Sequence, residues 1–189
     1  MSNYEIYKKT IEVYLGEEAN EFLAWIDTTN ANVSPSSTKY GLNCEDGWAT
    51  HCINVLNKLI KIVKAELGED FESVYSKKTI IKIALLHDLY KINRYEKYLR
   101  NVKNEEGQWV QVEEYKVADN FEHHINNALT SVIIANRFFK LTDEEIEAIY
   151  YAYPSDAVRG NEDYNVGHLA DMLRYAVKST LLEEKENKK

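Results

Sequence analysis

The sequence predicts an all-α fold of long helices with a β-hairpin inserted around residues 95–118. Three observations carry this expectation. Two prolines and seven glycines in 189 residues are few, which favours helices over a turn-rich β architecture. Apolar residues recur at helical steps through most of the chain. The stretch 95–118 changes character, with Tyr98, Val102, Trp109, Val110, Val112, Tyr115 and Val117 favouring strands.

Taken in order, residues 3–28 read as helix, with Ile6, Ile11, Val13, Tyr14, Phe22, Leu23 and Trp25 largely at helical steps. Gly16 divides the segment in two. Residues 29–46 hold Ser, Asn, Thr, Pro35 and Gly41 and read as a loop. It is long for a compact domain, and long loops are often functional. Residues 47–67 form a helix with Cys52, Val55, Leu56, Leu59, Ile60 and Val63 as its buried stripe and His51 beside it. A short connection, 69–76, leads to the stretch Thr79 to Tyr95, an apolar helix that ends in His87, Asp88 and Lys91.

After the hairpin, whose tight turn lies at Glu106-Gly107, residues 121–140 read as helix with Ile125, Leu129, Val132, Ile133 and Phe138 on one side. Glu122, His123 and His124 fall in its first turn. Thr142 and Glu145 have capping-box spacing for a helix over 142–152, which Pro154 ends. A last helix spans 164–182, with Val166, Leu169, Met172, Leu173, Ala176 and Val177 inward and His168 and Asp171 near its start. The organisation is one domain over 1–189: N-terminal helices 3–28, a core over 40–182 and a charged, frayed tail over 183–189.

Composition narrows the function. A hydrophobic fraction of 44% with 14 tyrosines argues against disorder. A net charge of −8 argues against general nucleic-acid binding, which needs a basic face, but not against a nucleotide substrate. Cys44 and Cys52 read as reduced structural thiols of a cytoplasmic protein. No run reaches the roughly 18 apolar residues of a membrane span. A homodimer through the tyrosine-containing hairpin is a further expectation.

The chemistry gathers on the helices. A buried helix delivering His87 and Asp88 side by side needs partners for both, because unpaired buried charge is costly. A divalent metal is one such partner. Lys91, three residues after Asp88, lies on the same face and could meet a phosphate. His51, the His87–Asp88 pair and Asp171 thus supply ligand types from three helices. Trp48, Tyr90 and Tyr153 could stack on a base, although such aromatics are more often core.

In that order, His … His-Asp … Asp, the chain resembles the HD-domain phosphohydrolases, over roughly residues 40–177. The matching stretches are DGWATHCINVLNKL around His51, ALLHDLYK around His87 and Asp88, and GHLADMLRYA around Asp171. It is most similar to small bacterial and phage HD-domain hydrolases, which also carry a hairpin after the HD helix and an LTDEE helix start. The resemblance implies an HD-domain-like helical bundle in which His51, His87, Asp88 and Asp171 hold a divalent ion (Mn, Fe, Co, Ni, Zn or Mg). Asp88 would also orient the attacking water, and Lys91 would meet substrate phosphate. Asn127 and Ala152 stand where two-metal relatives carry histidines. That favours one ion over two, with His123 and His124 as candidates for a second metal or for substrate.

The expected activity is hydrolysis of a phosphate ester in a nucleotide by metal-activated water, of nucleotidase or phosphodiesterase class. The alternative is a catalytically degenerate protein of the same fold that binds or sequesters a nucleotide or a protein partner.

Overall fold

The computed structural model describes residues 1–38, 41–119, 125–153 and 166–186. Helix α1 spans Asn3–Leu15, and after a 3₁₀ turn at Gly16–Ala19, α2 spans Asn20–Ile26. Helix α3 covers Gly47–Leu67 and α4 covers Lys77–Leu86. Strands β1 (Tyr95–Lys103) and β2 (Trp109–Val117) follow. Then come α5 (Asn127–Ala135), α6 (Asp143–Tyr150) and α7 (His168–Glu186).

The all-α class is corrected by the strands. β1 and β2 pair antiparallel along their whole length, from Tyr95 opposite Val117 to Lys103 opposite Trp109. The molecule is therefore mostly helical with a two-stranded antiparallel sheet. Its hairpin stands away from the core. Leu99 and Trp109 are largely exposed, and Tyr115 is the strand residue buried at its base. Charges cross the pair: Arg100 meets Glu114, Lys97 meets Glu113, and Lys116 meets Glu96.

Helix α3 is the central element, packed against α7, α4 and α1. Its buried residues His51, Cys52, Val55, Leu56, Leu59 and Val63 follow the helical period. Helix α4 is buried on every side from Ile80 to Leu86. Each of its isoleucines and leucines contributes about 1.5–3 kcal/mol by leaving water. Lys82 reaches out of this segment to Glu18.

The N-terminal helices break at Gly16, which has φ 63°. Their inward side differs from the expected one. Tyr7, Ile11 and Leu15 are buried, whereas Ile6, Val13 and Tyr14 are exposed. Tyr7 wins its place because its hydroxyl donates to the Leu85 carbonyl at 2.8 Å while its ring lies 4.7 Å from that of Trp48. Helix α5 is likewise shorter than 121–140, and it buries Ala128, Ser131, Val132 and Ala135 rather than Ile125, Leu129 and Ile133. Its small residues allow close approach to the turn after α4, where Ser131 Oγ accepts from the Tyr90 amide at 3.1 Å. At α6, Thr142 and Glu145 form the capping box that their spacing predicts.

The loop before α3 is tied down at both ends. Asn30 and Asn93 exchange side chain-to-amide bonds at 2.7 and 3.0 Å. Asp46, with φ 60°, accepts the amides of Asn3 and Tyr4 at 2.7 and 2.8 Å. It thereby satisfies the orphan donors at the start of α1. Gly47 follows directly, where an added Cβ would lie 2.4 Å from the Leu42 carbonyl oxygen.

No helix among the described residues is long and apolar enough to cross a membrane.

Gly47→Ala should lower stability by about 1–3 kcal/mol, because the backbone has to shift to admit the methyl group. Urea unfolding monitored by tryptophan fluorescence tests this. An unchanged midpoint would show that the loop yields freely.

Candidate metal centre

The site begins where α4 stops. The expected helix to Tyr95 ends instead at Leu86, and the reason is His87 itself. His87 Nδ1 donates to the Ala84 carbonyl at 2.8 Å. That carbonyl is the one the Asp88 amide would use if the helix continued. Asp88 therefore leaves helical geometry (φ −113°, ψ 17°), and a 3₁₀ turn over Leu89–Lys91 carries the chain on. The Asp88 carbonyl is fixed by the indole of Trp48, which donates at 3.0 Å.

The hydrogen bond also settles the His87 tautomer. A carbonyl only accepts, so Nδ1 carries the proton and Nε2 is left as a lone pair. Burial pushes the imidazole down to about 4, against the opposing pull of Asp88, so the ring is neutral near pH 7.

His51 arrives from the second turn of α3. Its Nδ1 lies 3.1 and 3.0 Å from the two carboxylate oxygens of Glu184, near the end of α7. A carboxylate accepts, so this nitrogen too carries the proton and Nε2 faces inward. The rings of His51 and His87 lie 5.6 Å apart.

Asp88 completes the group. Its Oδ2 is 4.0 Å from His51 Nε2 and 2.5 Å from Lys91 Nζ. The Lys91 ammonium is therefore the partner of Oδ2. Asp88 Oδ1 accepts from the Tyr153 hydroxyl at 3.0 Å, and Lys91 donates to that hydroxyl at 3.4 Å. Burial works to raise the Asp88 carboxyl, but Lys91 and the two imidazoles outweigh it and hold it below its ordinary value. For Lys91, burial works to lower the ammonium, and Asp88 turns the balance upward.

His51, His87 and Asp88 are each fully buried. Their three ligand atoms lie within 4.8 Å of one another and form a group that could hold a metal ion. His51 Nε2 and His87 Nε2 have no hydrogen-bond partner, and Asp88 Oδ2 has the Lys91 ammonium beside it. Buried polar atoms normally find partners, so two orphaned imidazole nitrogens beside a buried carboxylate fit a cation. Two imidazoles and a carboxylate are a donor set for Zn, Fe, Co, Ni or Mn.

The other expected ligands fare differently. Asp171 does not join the group. It lies on the outward side of α7, about half exposed, and pairs with Arg174. It also precedes Glu184 by thirteen residues, which is about 20 Å along a helix. Since Glu184 is the α7 residue that touches His51, Asp171 is far from the centre. His168 is exposed at the start of α7. His123 and His124 lie outside the described residues. Asn127 accepts from Arg94 at 2.9 Å, and Ala152 is buried.

Glu184 was missed because it falls in a charged stretch that reads as a tail. A signal was present: buried Leu173, Ala176, Val177 and Thr180 run on at helical steps to position 184. A carboxylate continuing a buried stripe asks for a partner. Tyr153, read as a stacking candidate, instead bonds the Asp88 carboxylate. Comparison with protein-family models, curated proteins and solved structures finds no match to this chain.

The His87 value implies a pH dependence. An unfolded chain protonates His87 near 6.5 and the folded chain only near 4. Between these values the unfolded state binds more protons, so stability falls as pH falls. In chelator-treated protein the loss from His87 should be about 3 kcal/mol between pH 6.5 and 4. Urea melts across that range test it. His87→Gln should flatten the profile; an equally steep one would place the proton elsewhere.

Proposed function

We propose that the chain is a metal-dependent phosphohydrolase acting on a nucleotide or related phosphate ester. The observation that carries this reading is the convergence of buried ligand atoms of His51, His87 and Asp88 within 4.8 Å, with both imidazole Nε2 atoms lacking a hydrogen-bond partner. The likeness of ALLHDLYK and the His51 stretch to the HD-domain phosphohydrolases supports it at motif level. The fourth position of that pattern, Asp171, does not.

His51, His87 and Asp88 would hold a single divalent ion. A bound ion of this kind supplies a nucleophilic hydroxide at neutral pH and polarises a phosphoryl oxygen. Three protein ligands are the number that catalytic zinc sites use, leaving room for water and substrate. Lys91 stands as counter-ion to Asp88 and would take up phosphate charge once Asp88 is engaged elsewhere. Tyr153, bonded to Asp88 Oδ1 and within reach of Lys91, orients both. Burial excludes bulk water and strengthens each of these interactions.

A second reading is a degenerate site that binds a nucleotide or partner without turnover. It is favoured by one observation: Asp88 is already engaged by both Lys91 and Tyr153.

Elemental analysis after loading with manganese or zinc, followed by a nucleotide panel, separates the two. The hydrolase reading expects about one ion per chain, a loss of affinity of at least tenfold in Asp88→Asn, and turnover of a nucleoside phosphate or phosphodiester. Metal binding without any turnover favours the second reading, and no metal binding under any loading sinks the first. Lys91→Met should melt at lower temperature than wild type without metal, since Asp88 is left buried and unpaired. It should gain more thermal stability on metal loading than wild type does, because no ammonium competes for Asp88. An equal gain in both proteins would mean that Lys91 does not contend with the ion.

A further inference from the structure

We propose that Glu184 is the positioning residue of this centre, its carboxylate holding the His51 imidazole so that Nε2 points at the ligand atoms of His87 and Asp88. The inference rests on the metal reading above and assigns a role to a part of the chain that lies outside the HD-type motifs.

Glu184 is almost fully buried, which a carboxylate accepts only with partners around it. Both of its oxygens lie within hydrogen-bond distance of His51 Nδ1. Asn54, one helical turn after His51 on α3, donates to Oε1 at 3.1 Å. On the far side the backbone of Gly41 comes so close that an added Cβ would lie 3.3 Å from Oε2. The carboxylate is thus enclosed by α3, α7 and the loop before α3. Its neighbour Glu183 points the other way and pairs with Lys58 across the outer side of the same helix contact. The two adjacent glutamates have opposite tasks, one closing the helix pair at the surface and one orienting a ring inside it.

The direction of the imidazole follows from this enclosure. A histidine held through Nδ1 by a carboxylate presents Nε2 with a fixed orientation and greater basicity, and removing such a partner commonly costs 10- to 100-fold in metal affinity. His87 has only a carbonyl for its Nδ1. The two ligand histidines are therefore unequal, and His51 is the one whose donor strength is set by charge. Glu184 touches no ligand atom of the ion, so its effect passes entirely through His51.

The test uses the full chain with zinc as the probe. Nitrogen chemical shifts of the histidine rings in metal-free wild type should show the His51 proton on Nδ1, and zinc affinity is measured by competition with a chelating dye. Glu184→Ala should weaken zinc binding 10- to 100-fold and release the tautomer. Glu184→Gln, which keeps an acceptor oxygen, should lose less and retain Nδ1–H. Thermal melts establish that each variant is folded. A folded Glu184→Ala with wild-type affinity overturns the proposal, and so does a wild-type His51 protonated on Nε2. If Glu184→Ala does not fold, the wild-type tautomer and the Glu184→Gln affinity decide the matter. Wild type that binds no zinc, manganese or cobalt overturns the metal reading as a whole; zinc bound equally by wild type and the Glu184 variants overturns the role of Glu184 alone.

Discussion

A buried carboxylate in an apolar interior has to be neutralised, and the arrangement around Asp88 is the structure's answer to that constraint. The Lys91 ammonium from its own turn and the Tyr153 phenol from the segment after α6 close on it, with the Nε2 lone pairs of His51 and His87 beside them. The cost of burying this charge falls on the whole fold, because the groups that offset it belong to segments far apart in sequence. Helix α4 is buried from Ile80 to Leu86 and carries Asp88 to the centre. Helix α3 is central because it holds His51 against the turn after α4 and, through Trp48, fixes that turn's backbone.

The same constraint explains why α4 ends where it does. His87 takes the carbonyl that a continued helix would use, so one side-chain bond both terminates the helix and leaves Nε2 as the lone pair. Local structure and chemistry are set by a single contact here. Were the helix to run on, Asp88 and Lys91 would lie on a regular helical face, and the tight 2.5 Å approach of the ammonium to Oδ2 would depend on helical spacing alone.

Much of this was legible in the residues. Helix α3 spans the limits its apolar period gives, Gly16 divides the first segment, and Thr142 with Glu145 marks the start of α6. His51, His87, Asp88 and Lys91 come together as their residue types and spacing suggest. What failed did so for identifiable reasons. The strand-favouring residues of 95–118 could be read, but a class named from the helical majority left out the sheet they build. On α1 and α5, periodicity could not say which side faces inward, because Tyr7 and Ser131 are placed by hydrogen bonds that hydrophobicity does not register. Asp171 and Glu184 show the same limit on one helix. Both are acidic residues near buried positions, and only the packing of α7 along α3 decides which of them meets His51.

The hairpin has a consequence of a different kind. Its strands pair only with each other among the described residues, so each keeps an outer edge of unpaired amides and carbonyls. Such edges invite joining to a second chain. Lys97, Arg100, Lys103, Glu113 and Lys116 are spread along these two strands, and any approach edge to edge would have to strip water from several of them at once. On an extended ribbon with an exposed tryptophan, these charges are placed as gatekeepers against edge-to-edge stacking.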